Sequence, residues 1–267
     1  MNIEAQINQR QFERISRTVY DFCGIKLNQE KQNLVKSRLT KRLHALNLNN
    51  FDEYLDLVGR DREEFSVMID SLTTNKTDFF REMAHFEFLR REILPDLMTK
   101  TRRLRIWSAA CSSGEEPYSI SMLLHESLPD IGRWDIKILA TDISSEILGK
   151  AHRAEYDEHN LTGVSKALRQ KYFSPTTEGK YEIRPAARNM VRFARLNLMG
   201  DWKMKGPFDL IFCRNVMIYF DKPTQSRLVN RFYNLLAPDS HLFIGHSESL
   251  NGVTHPYRYI QPAIYLK

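Results

Sequence analysis

Apolar residues recur at helical spacing through the first hundred positions of the chain. Ile7, Phe12, Ile15, Val19 and Phe22 form one stripe ahead of Gly24, which reads as a helix stop. A second helix is predicted from about Gln29 to Leu46, with Asn28 as its N-cap and Val35, Leu39, Leu43 and Leu46 on its apolar face. "FDEYLDLVG" and "REEFSVMIDSLT" predict two shorter helices, and "HFEFLRREILPDLM" another, interrupted or bent near Pro95.

From residue 103 the rhythm changes. Strand-like runs "LRIWSA" (104–109), "IKILATD" (136–142), "MVRFARL" (190–196), "FDLIFC" (208–213), "HLFIG" (241–245) and "IQPAIYLK" (260–267) alternate with helix-like "PYSISMLLHESL", "SSEILGKAHRAEY" and "PTQSRLVNRFYNLLA". Such alternation predicts a mostly parallel sheet covered by helices on both faces, with the last strand joining antiparallel. Residues 157–189 interrupt it with a short helix, a turn and a short strand, the signature of an inserted subdomain. The expected fold class is α/β. A small all-helical domain (1–74) and a linker with a helix (75–102) precede a doubly wound, mostly parallel-sheet domain (103–267).

Composition narrows the setting. The 267 residues are 42% hydrophobic and 27% charged, the balance of an ordinary globular protein. No apolar run approaches the roughly 18–20 residues that span a bilayer, and the start is too polar for a signal peptide, so a cytoplasmic protein is expected. Cys23, Cys111 and Cys213 form no CxxC pair, so free thiols are expected and neither a disulfide framework nor a zinc site. A net charge of +6 and a pI near 9.2 imply an acidic partner without choosing among nucleic acid, membrane and protein.

Ligands of open parallel sheets bind beyond the carboxyl ends of the strands. After the first strand, "ACSSGEEPYS" turns tightly at Gly114 into a helix whose Glu115 and Glu116 would repel a pyrophosphate. One glycine here is a weak dinucleotide fingerprint. Asp142, at the tip of the second strand, suits a pair of ribose hydroxyls or, equally, the cap of the following helix. Asn197 and Leu198 end the third strand; Arg214 and Asn215 end the fourth. Upstream, "TTNKTDFFRE" (73–82) sets Asn75, Thr77 and Arg81 among aromatic residues. Carboxylates, amides and small residues without a P-loop or metal cluster suit a nucleoside with a cationic tail, and S-adenosylmethionine is one.

"TTNKTDFFRE", "WSAACSSGEEPYSI", "ATDIS", "FDLIFCRNVMIYFDK" and "FIGHSESL", in this order, resemble the CheR family, bacterial glutamate O-methyltransferases of chemotaxis receptors. The similarity runs over nearly the whole chain. It implies an S-adenosylmethionine-dependent enzyme, with S-adenosylhomocysteine as product and no metal, that esterifies glutamate side chains on methyl-accepting receptors. Family cofactor contacts fall on Asn75, Thr77, Arg81, Glu115, Asp142, Asn197, Leu198, Arg214 and Asn215, with Arg81 and Tyr219 nearest the transferred methyl. Some members grip a receptor C-terminal peptide with a glycine-rich turn of the inserted subdomain; here "SPTTEGKYE" holds one glycine, Gly179.

Glutamate, with a reference pKa near 4.3, is already ionised at neutral pH, so the reaction asks for no general base. His246 is therefore read as structural, and Met217 and Ile218 as core. Lys31, Arg38, Lys41 and Arg42 fall on one stripe of the second helix, a docking face for the acidic receptor helices. The expected protein is a monomer that meets the membrane only through the receptor and binds no nucleic acid. The alternatives are a nucleic-acid methyltransferase, which usually carries (D/N/S)PP(Y/F) where this chain has "CRNVMIYF", and a non-catalytic cofactor-binding adaptor.

Overall fold

The computed structural model describes residues 6–267. Its first layer is four helices, α1 (Gln9–Cys23), α2 (Gln32–Ala45), α3 (Phe51–Arg60) and α4 (Arg62–Leu72). Side-chain caps set three of their starts. Asn8 and Gln11 form a reciprocal capping box on α1, Asn50 accepts from the Glu53 amide, and Asp61 accepts from those of Glu63 and Glu64. Ile15, Val19, Val35, Leu39, Leu43, Tyr54 and Met68 share one core. Asn28 does not cap α2: its side chain makes no capping bond, and a 3-10 turn (Gln29–Lys31) leads into the helix.

The basic stripe on α2 is not a free face. Arg42 forms a two-bond ion pair with Glu64 (3.0 and 2.7 Å), a carboxylate that also accepts from the buried Tyr54 hydroxyl. Arg38 donates to the carbonyls of Ser71 and Thr73, and Lys31 precedes the α-helix. Lys41 is exposed. Periodicity placed the four on one side, but could not show that a buried carboxylate on α4 occupies one of them.

Next come α5 (Met83–Phe88) and α6 (Leu94–Lys100), joined through a π-helical turn at Leu89–Ile93. The irregularity expected at Pro95 thus lies just upstream, where the π-helical turn shifts the hydrogen-bond ladder ahead of a residue that has no N–H to give it. The sheet domain follows in the order β1 (Arg103–Ala109), α7 (Glu115–Ser127), β2 (Asp135–Asp142), α8 (Ser145–Arg153), β3 (Glu155–Tyr156), α9 (Lys166–Tyr172), β4 (Phe173–Pro175), β5 (Tyr181–Ile183), α10 (Pro185–Arg188), β6 (Val191–Arg195), β7 (Phe208–Cys213), α11 (Lys222–Leu235), β8 (Leu236–Ile244), β9 (Arg258–Gln261) and β10 (Ile264–Leu266).

Seven strands lie in the order β6-β2-β1-β7-β8-β10-β9, all parallel up to β8. The strand expected over 260–267 is a hairpin: Pro262 offers no donor and Ala263 has φ 64°, so the chain turns between β9 and β10, and β10 pairs antiparallel with β8. The inserted segment is a three-stranded sheet, β3-β5-β4, beginning at Glu155. Successive side chains of a strand go to opposite faces. Leu210 and Phe212 enter one core with α7 and the inserted sheet, while Ile211 and Cys213 enter the other with α11.

Candidate active site

The chain leaves β1 toward β2 on one side and later returns to β7 on the other. The switch point between β1 and β7 opens a crevice at the carboxyl edge. The helical domain lies over this edge. Asn197 Nδ2 donates to the Phe22 carbonyl (2.6 Å), the Lys26 amide donates to the Tyr219 carbonyl (2.9 Å), and Tyr20 donates to Asp221 (2.8 Å). Gly24, the left-handed cap of α1 (φ 74°), permits the approach, since a Cβ there would lie 3.0 Å from Met199 Cγ.

A cleft of about 900 Å³, counted to its open mouth, results. Asn75, Thr77, Arg81, Asp142, Asn197, Leu198, Arg214, Asn215 and Tyr219 all line it, so nine residues scattered over 145 positions of sequence meet at one site. Glu115 does not line it. Its carboxyl is buried beside the wall, accepts from Ser113 Oγ (2.7 Å), and is pushed up to about 7 by that burial. The neighbouring Glu116 lines the cleft instead. The two adjacent positions differ by about 100° of helix rotation, which the motif alone could not orient.

Asp142 is the acceptor at the floor. Its Oδ2 takes the Ser112 amide (2.9 Å) and its Oδ1 that of Ser144 (3.0 Å). Burial raises its pKa, and the amides of Ser144, Ser112 and Ile143 oppose the rise. The helix-cap reading fails, because the cap of α8 is Ser144, whose Oγ accepts from the Ile147 amide. A carboxylate accepts about four hydrogen bonds, so these amides leave it acceptor capacity for a ribose hydroxyl.

Arg214 is buried, and its guanidinium reaches Glu116 Oε2 (2.9 Å), Glu82 Oε2 (3.0 Å) and the Arg81 carbonyl. Asn215, at φ 59°, donates its side-chain amide to Glu82 Oε1 (3.1 Å) and its backbone amide to Glu248 (2.9 Å). Phe80, Glu82, Ala110, Ser112 and Asn215 all hold positive φ around the cleft. Strain of this kind persists where surrounding contacts over-determine it, as at binding sites.

Arg81 is half-buried and donates to the Lys76 carbonyl (3.0 Å), which orients its guanidinium along the wall. The Lys31 ammonium lies over the Tyr219 ring, 5.2 Å from its centre, so Lys31 belongs to the mouth of the cleft. Met217 is core as expected, but Ile218 is 49% exposed at the rim. Sequence reasoning also missed Cys23 and Ile25, which the helical domain contributes to the wall, and Ile143 and Val216. No signal marked them, since apolar wall residues look like any core residue before the domains are docked.

The residues present fit S-adenosylmethionine. Asp142 offers a carboxylate acceptor for ribose hydroxyls, Ile25, Ile143, Leu196 and Leu198 give apolar walls for a base, and Glu116 and Asp78 give negative charge for a cationic tail. Family models for "CheR methyltransferase, all-alpha domain" and "CheR methyltransferase, SAM binding domain" match residues 10–73 and 75–266. A probable chemotaxis protein methyltransferase of Rhizobium etli is 46% identical, covering 88% of this chain and 90% of its own. Chemotaxis protein methyltransferases of Borreliella burgdorferi and Escherichia coli are 40% and 42% identical, covering 100% and 92% of this chain and 97% and 86% of theirs. With helical and cofactor-binding halves both matched and the cleft formed where they meet, the chain belongs to the CheR methyltransferase family.

Proposed function

We propose that this protein transfers a methyl group from S-adenosylmethionine to glutamate carboxylates of bacterial chemotaxis receptors, forming methyl esters. The observation that carries the reading is the convergence of Arg81 and Tyr219 with Asp142 in one cleft at the switch point of the sheet. When bound, S-adenosylmethionine supplies a methyl group on a positively charged sulfur, which a carboxylate can take directly with loss of both charges. What the protein must add is alignment and exclusion of water.

The residues are arranged for that. Asp142 holds the diol end, and Asn75, Thr77 and the 196–198 segment close the sides. Arg81, fixed through the Lys76 carbonyl, presents its guanidinium to an incoming carboxylate. Tyr219, beneath Lys31, bounds the mouth. No base is required, and the nearby His85 is unsuited to be one, since burial first and the Arg214 charge next lower its pKa to about 3. Where a nucleic-acid amino methyltransferase carries Pro-Pro, Arg214 is locked between Glu116 and Glu82, which disfavours that alternative.

Receptor docking is assigned to the mouth and to the outer side of α2. Lys41 and Lys31 carry it, since Arg42 and Arg38 serve the domain itself. The test is transfer of labelled methyl to receptor-containing membranes. Label released by mild alkali as methanol supports the reading; label in nucleic acid, or none in receptor, overturns it.

A further inference from the structure

Glu82 accepts three hydrogen bonds beside the cleft, although it does not line it. Its Oε2 accepts from Arg214 (3.0 Å) and from the His246 amide (3.1 Å), and its Oε1 from Asn215 Nδ2 (3.1 Å). Three segments far apart in sequence therefore end on one carboxylate: the linker at 81–82, the exit of β7 and the exit of β8. The backbone of Glu82 is itself left-handed (φ 59°), and Arg214 closes a ring by also donating to the Arg81 carbonyl. Gly245 makes the closure possible, since a Cβ there would lie 2.4 Å from Asn215 Nδ2.

Glu82, His85 and His246 also bring three metal-ligand atoms within 4.8 Å of one another. A cation is already beside that carboxylate, however: the Arg214 guanidinium, 97% buried. His85, buried with neither ring nitrogen hydrogen-bonded, stays neutral there and leaves Glu82 to Arg214. The cluster is a hydrogen-bond junction and not a competitor for the guanidinium.

We propose that Glu82 is the positioning residue of the reaction centre: by holding Arg214 and Asn215 it fixes the Arg81–Glu82 peptide and so aims the Arg81 guanidinium at the incoming carboxylate. This rests on the methyl-transfer reading above. Glu82 touches no reacting atom in this assignment; it acts through Arg81. A group that aligns another should lower the rate of transfer by more than it weakens cofactor affinity, which Asp142 across the cleft also sustains.

The experiment compares wild type, Glu82→Gln, Glu82→Asp, Arg81→Ala and the double variant Glu82→Gln/Arg81→Ala. Single-turnover methyl transfer, S-adenosylhomocysteine affinity and melting temperature are measured for each. Glu82→Gln is expected to slow transfer by roughly thirtyfold or more and to weaken S-adenosylhomocysteine by less than about tenfold, since Arg214 and Asn215, which Glu82 holds, also line the cleft. In the Arg81→Ala background the same change should slow transfer by less than about threefold, because the group it aligns is gone. A merely structural role would give equal losses in both backgrounds, and that outcome overturns the proposal. Glu82→Asp keeps a charge opposite buried Arg214 but is one methylene too short to reach Asn215 as well. It carries the test if the Gln variant does not fold, and a wild-type rate in folded Glu82→Asp also overturns the proposal. If wild type itself transfers no methyl to receptor, the functional reading has failed; if wild type transfers and the Glu82 variants match it, this inference alone has failed.

Discussion

Asp142→Asn perturbs cofactor binding and loop structure at one carboxylate, and the two effects have separate readouts. In the wild type the carboxylate holds loop amides, Ser112 (2.9 Å) on one oxygen and Ser144 (3.0 Å) on the other, and keeps acceptor capacity toward the cleft. Asn retains one oxygen and turns an NH2 toward the other amide. The buried N–H left without a partner should cost about 1–3 kcal/mol of stability, a drop of a few degrees in melting temperature. Part of that is offset, because burial already disfavours the ionised form and Asn carries no charge. A hydroxyl bonded to a charged acceptor contributes about 1.5–3 kcal/mol, so losing one should weaken S-adenosylhomocysteine roughly ten- to a hundredfold. Calorimetric titration at neutral pH measures this beside a thermal melt. The pH dependence gives a second readout. The Asp142 pKa is raised, so protonation removes an acceptor at higher pH than for an ordinary aspartate, and wild-type affinity should fall on mild acidification while the Asn variant stays flat. A folded Asp142→Asn protein that binds S-adenosylhomocysteine within twofold of wild type would refute the reasoning and reduce Asp142 to a loop clamp.

Tyr219→Phe and Arg81→Ala should each slow single-turnover transfer by more than they weaken S-adenosylhomocysteine binding; a wild-type rate at saturating substrates would remove that residue from the reaction centre. Arg42→Glu sets a second carboxylate against Glu64, so the helical domain should lose roughly 3 kcal/mol in a melt, whereas exposed Lys41→Glu should leave the melt unchanged and slow receptor methylation only at low salt, where the Debye length exceeds about 10 Å. Equal melting of the two variants would show that the Arg42–Glu64 pair contributes no stability. Glu115 has its folded pKa raised from 4.5 to about 7, so the folded state binds the extra proton and stability falls as pH rises across that window, by roughly 3 kcal/mol. Glu115→Gln should abolish that decline and raise the melting temperature above pH 7; an unchanged pH–stability curve would show that Glu115 is not desolvated.

The sequence by itself determined the helical first hundred residues, the strand–helix alternation after residue 103, and the positions where polar residues end a strand. These are legible because local periodicity and strand-end chemistry are written within a few neighbouring residues. Asp142, Arg214 and Asn215 could be placed at the carboxyl edge on that basis alone. What only the tertiary structure decided depends on contacts between distant segments. Whether Glu115 or Glu116 faces the cleft follows from how α7 is rotated against the sheet. That Arg42 holds Glu64, and so is not a free docking charge, required the packing of α4 on α2. Glu82 looked like the tail of a polar motif until the exits of β7 and β8 closed around it, and Cys23 and Ile25 became cleft residues only once α1 was docked through Gly24. In each case the burial of one charge or methyl group is set by a partner more than twenty positions away, and no pattern along the chain records that distance.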